Sequence, residues 1–81
     1  MHGGTRLEPI ERSAKDARRE ALFVSVLQPS DAPTADVIAE AITSAMRRFG
    51  PRACAARIAQ EFGDHPEAAA ARMRWARQLA A

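Results

Sequence analysis

The chain has one cysteine, one lysine, one tryptophan and no tyrosine, and it has no long apolar run. A single cysteine, Cys54, excludes an intrachain disulfide framework, and it stands between alanines rather than at a metal-ligand spacing from another cysteine or histidine. A reducing, cytoplasmic setting is therefore expected. The start of the chain, "MHGGTRLEPIERS", has no apolar segment of the signal-peptide type, and "ALFVSVL" is too short to span a bilayer, so the expectation is a protein without membrane attachment. Alternation with period two is missing throughout, which excludes sheet.

Catalytic chemistry is also sparse. The two histidines are His2, near the terminus, and His65, at an expected helix start. Neither pairs with Cys54 as a metal site, and Asp64 and Glu67 are explained by helix capping without acid–base work. No phosphate-cradling glycine loop, nucleophile motif or dinucleotide fingerprint occurs. The chain is not expected to be an enzyme, and no cofactor, metal or small-molecule substrate is expected.

What the sequence has is alanine and arginine: nineteen alanines, and eleven arginines beside the one lysine. Alanine, glutamate and arginine favour helix almost everywhere. In a chain of 81 residues, seventeen large apolar side chains follow Met1, from Leu7 to Leu79. A core of that size is small, so buried alanines, or a partner chain, must contribute as well. The charge is divided. Residues 1–45 hold five bases and seven acids, whereas residues 46–81 hold seven bases and three acids. The C-terminal half is the basic half.

The expected fold is all-α, a compact bundle of four helices, with residues 1–8 a flexible N-terminus and residues 9–81 one helical domain. A first helix over 9–28 carries the stripe Leu7, Ile10, Ala14, Ala17, Ala21 and Val24, and Leu22, Phe23, Val26 and Leu27 widen it near its end. "QPSDAP" breaks it, since each proline disfavours helical angles in the residue before it. Thr34 is the expected N-cap of a second helix with Ile38, Ala41, Ile42, Ala45 and Phe49 inward. Gly50 and Pro51 make a corner, with Gly50 left-handed and Pro51 opening a third helix to Phe62. Gly63 then ends that helix, and "DHPE" starts a fourth, with Asp64 as N-cap and Glu67 reaching back to it.

The third and fourth helices resemble the helix-turn-helix of bacterial repressors over "RIAQEFGDHPEAAAARMRW", about a quarter of the chain. Ala59 stands four residues before the turn glycine Gly63, where that family places a small residue for a close crossing, and Ile58 and Phe62 are apolar as the pattern asks. Asp64 and Arg72 depart from it, and Ala69 is a small residue where a larger apolar one is usual. The longer segment "RRFGPRACAARIAQEFGDHPEAAAARMRWAR" is similar to short, alanine- and arginine-rich helical proteins of actinobacteria, a resemblance covering about residues 21–77. That resemblance implies the extent of the domain and no mechanism.

A helical wheel of the fourth helix groups Ala68, Ala71, Trp75 and Leu79 on one side, extends the apolar arc through Met73 and Ala76, and leaves Arg74 and Arg77 outside. Arg72 falls inside the apolar arc. There its stem covers apolar surface while its head reaches water or a carboxylate, or else it meets phosphate or an acidic partner. The candidate nucleic-acid-binding residues are Arg47, Arg48, Arg52, Arg57, Arg74 and Arg77, and the candidate partner-binding residues are Arg72, Met73 and Trp75. With no asparagine or glutamine on the outward face to read adenine, phosphate contacts would dominate. The functional expectation is a small cytoplasmic regulatory protein, a transcription regulator with weak, mainly electrostatic DNA binding. The alternative is a protein–protein interaction module that self-associates as a homodimer, or binds another regulatory protein, and does not bind nucleic acid.

Overall fold

In the computed structural model, the described residues are 13–80. The expected flexible segment 1–8, and the part of the first expected helix before Ser13, lie outside them. The described residues form three α-helices and no strand: α1 (Ala14–Val24), α2 (Ala35–Asp64) and α3 (Pro66–Ala80), with a 3-10 turn at Pro29–Asp31. Each helix packs on the other two.

The all-helical class stands. Within α2 the expected second and third helices meet at a kink at Gly50, whose φ of 74° and ψ of 169° are non-helical, so the expected corner is present although the two helices are bounded together as one element. Gly50 has the positive φ anticipated for it. Its ψ is extended, however, a combination essentially confined to glycine. Pro51 completes the break because it has no N–H to donate back and disfavours helical angles in the residue before it.

Two other boundaries move. α1 begins after Ser13, whose side chain accepts the Asp16 N–H at 3.0 Å. It ends at Val24 rather than near residue 28, because Ser25 turns extended. The Ser25 hydroxyl donates to the Leu22 carbonyl at 2.7 Å and accepts the Leu27 N–H at 3.3 Å. That local closure turns the chain early and still returns Leu27 to the interior, where it is buried. At the other moved boundary, Asp64 is the last residue of α2, so it does not cap α3, and Gly63 lies within the helix it was expected to end. The corner is His65 alone: its N–H donates to the Glu61 carbonyl at 2.7 Å, and its carbonyl accepts the Ala69 N–H at 2.8 Å. The expected cap at Thr34 is present, with the side chain accepting the Val37 N–H at 3.3 Å.

The core unites Ala21, Leu22, Leu27, Ile42, Ala45, Ala76 and Ala80. Four of these seven are alanines, which let the helices approach closely. Ile38, Phe49, Met73, Trp75 and Leu79 pack around them, partly buried. A core built this way has little apolar area per residue, and its helix ends depend on polar contacts between elements.

Candidate functional site

Arg72 makes the densest of those contacts. From the middle of α3 it reaches the C-terminal end of α1, where four carbonyls accept from it: Phe23 from Nε at 2.6 Å, and Leu27, Ser25 and Leu22 from Nη2 at 2.8, 3.0 and 3.3 Å. The last carbonyls of a helix have no partner within it and carry the negative end of its dipole, so a guanidinium suits the position. Its Cζ also lies 4.8 Å from the centroid of the Trp75 ring and 5.9 Å from that of Phe23. Burial lowers the proton affinity of the guanidinium, and the nearby charge of Glu61 acts in the opposite sense.

A second arginine mirrors it. Arg18 on α1 donates from Nη2 to the carbonyl of Ala80, at the end of α3, at 3.1 Å. Residue 18 meeting residue 80, and residue 23 meeting residue 72, require α1 and α3 to run antiparallel. Each therefore supplies a cation to the other's C-terminal end. Sequence reasoning missed Arg18, because its target is 62 residues away and no local pattern marks it.

Arg72 is held by carbonyls of its own chain rather than by a carboxylate, and it is partly buried. Met73 and Trp75 are partly buried and pack against the core. Arg47, Arg48, Arg52, Arg57, Arg74 and Arg77 are all exposed. Of these six, Arg48 and Arg57 come together across the Gly50 break: their Cζ atoms lie 5.6 and 5.3 Å from the centroid of the Phe49 ring. Arg47 and Arg52 flank the same break, while Arg74 and Arg77 stand one turn apart on α3.

The features that make a helix-turn-helix crossing are absent from the α2–α3 pair. Ala59 is exposed, and a Cβ added at Gly63 would meet nothing within 4 Å. Neither residue lies at a close approach. Phe62 instead stacks on Phe23 of α1, with centroids 6.1 Å apart and the rings inclined by 17°, and it remains 38 % exposed.

An apolar groove that sequence reasoning did not anticipate opens between the chain leaving α1 and the part of α2 before Gly50. Its volume is about 470 Å³. Val26, Val37, Ala41 and Phe49 contribute its apolar lining, and Arg48, Arg57 and Glu40 its charged groups. Val26 is 79 % exposed and Val37 is 41 % exposed. The sequence signal for it is the surplus of apolar residues at 22–27. Among the described residues no cluster of three metal-ligating side chains occurs, and no helix is long and apolar enough to cross a membrane.

Compared with family models, with curated proteins and with solved structures, the chain matches none.

Proposed function

We propose that the protein is a small helical protein-interaction module whose contact surface is the groove between the end of α1 and the first part of α2. The observation that carries this reading is the exposure of Val26 and Val37 on either side of that groove. In a chain with so few large apolar side chains, leaving two valines in water gives up burial that the fold would otherwise use. A partner recovers it. A photo-crosslinking residue at position 37, installed in the protein in cells, is expected to form adducts that the same residue at exposed Gln78 does not. Sedimentation at micromolar concentration then separates self-association from binding to another chain. A strict monomer with no adduct from position 37 overturns the reading.

A second reading rests on the six exposed arginines: weak, mainly electrostatic DNA binding by a cytoplasmic regulatory protein. Titration into random-sequence duplex DNA tests it, since each phosphate contact adds about −0.9 to the log–log slope of affinity against salt. Binding that is absent at low salt, or indifferent to salt, removes it.

A further inference from the structure

We infer that the partner seated in this groove is an acidic amphipathic helix from another protein, with Arg48 and Arg57 selecting its charge. The inference rests on the interaction-module reading and adds the chemistry of the occupant.

Three observations lead to it. The groove is apolar along Val26, Val37 and Ala41, which suits an apolar stripe. Its walls are helix and link, and the described residues contain no strand. An extended peptide would find no sheet edge to satisfy its backbone, whereas a helix satisfies its own and presents side chains at spacings of three and four. The charge comes from Arg48 and Arg57, both exposed and both against the Phe49 ring, with Glu40 the one acid that lines the groove among the described residues. The net charge is positive, and carboxylates flanking an apolar stripe complement it.

The same charge argues against a second copy of this chain. A two-fold symmetric contact sets the same patch against itself. Among the described residues, groove against groove would bring two copies of Arg48 and Arg57 together with two copies of Glu40 between them. The surplus is repulsive, and a partner bearing acids removes it.

The test uses synthetic amphipathic peptides of about 15 residues, long enough to form helix on a surface. One has a leucine stripe flanked by glutamates; the other has the same stripe flanked by lysines. Binding to the full chain is followed by amide and methyl NMR shifts up to millimolar peptide, and affinity by anisotropy of labelled peptide. The glutamate peptide is expected to shift Val26, Val37 and Ala41 and to bind about tenfold or more tightly than the lysine peptide, a difference of about 1.4 kcal/mol. The double variant R48E/R57E should reverse that order, with unchanged far-UV circular dichroism showing that it folds. Val37→Glu should weaken both peptides.

Equal binding of the two peptides in the groove overturns the acidic partner while leaving the interaction module standing. Shifts confined to other surfaces, or none at millimolar peptide, overturn both. A dimer in sedimentation that Val37→Glu dissociates makes the occupant a second copy, which also overturns the inference and keeps the module.

Discussion

Replacing Arg72 with methionine keeps an unbranched apolar stem against Trp75 and Phe23 but removes the guanidinium donors from the end of α1. Four carbonyls accept from Arg72, and one of them, Leu22, also accepts the Ser25 N–H at 3.2 Å and the Ser25 hydroxyl. The cost therefore falls on Phe23, Ser25 and Leu27. A carbonyl left without a partner costs about 1–3 kcal/mol when buried, and the lower end applies here because water reaches a partly buried site. The expected destabilisation is about 2–4 kcal/mol, with the lost cation–π contacts contributing up to about 1 kcal/mol within that range. For a domain of this size that corresponds to a fall in Tm of roughly 10–25 °C, read from a thermal melt followed by circular dichroism. R72K should fall between R72M and the parent, because an ammonium is a point charge without the planar fork that serves four carbonyls. Trp75 emission should shift in R72M, since the guanidinium lies 4.8 Å from its ring. If R72M melts within about 3 °C of the parent, or R72K is less stable than R72M, Arg72 does not cap α1 as argued.

The two glycines of α2 should respond in opposite directions: Gly50→Ala, at the kink, is expected to destabilise by about 1–3 kcal/mol through backbone strain alone, while Gly63→Ala, within helix, is expected to stabilise by up to about 1 kcal/mol. Neither Cβ would meet an atom within 4 Å, so urea unfolding of the pair isolates the conformational effect. The Asp16 carboxyl is held below the usual carboxylate range, first by its hydrogen bond with Ser13, with burial opposing the shift and Arg19 adding to it. Its contribution to α1 is therefore present above the ordinary carboxylate pKa and is lost as pH falls through the lowered value. Carboxyl NMR titration should show Ser13→Ala moving that midpoint upward, and an unmoved midpoint removes the Ser13 contribution. Cys54 is 3 % exposed, so a thiol reagent should modify the native chain at least about a hundredfold more slowly than the urea-unfolded chain, as expected when reaction waits on opening. Equal rates would place Cys54 outside the packed interior.

The parts of this fold that were legible in the sequence are those whose cause lies within a few residues. Thr34 caps α2 because a hydroxyl three residues before a free N–H closes a local ring, and Gly50–Pro51 breaks α2 because both residues act on their own backbone. The apolar stripe of α2, with Ile38, Ile42, Ala45 and Phe49, was legible from periodicity alone. The misplaced boundary after α2 has a different origin. Asp64 is the better N-cap by local chemistry, yet the helix continues through Gly63 and Asp64, with the His65 N–H still donating to the Glu61 carbonyl. Propensity ranks residues; it does not decide which of two adjacent positions turns.

The end of α1 shows why the candidate site was harder to read than the helices. From periodicity, Leu22 to Leu27 form an apolar run that continues the helix, and Arg72 is a charge misplaced on an apolar arc. In the structure each anomaly answers the other across 45 to 50 residues. Because α1 stops at Val24, carbonyls from Phe23, Ser25 and Leu27 turn toward α3; because Arg72 lies inside the arc, a cation is there to receive them. The same early stop leaves Val26 outside the helix and in solvent, where it becomes one wall of the groove. The contact that secures the fold and the surface proposed for a partner thus share one cause. A variant that let α1 run on to Gln28, by weakening Arg72 and replacing Ser25 with alanine, is expected to lose the groove and the stability together, seen as closed peptide binding and a lowered Tm in the same protein. Loss of one without the other would mean that the chain reversal at Ser25 and the capping by Arg72 are independent.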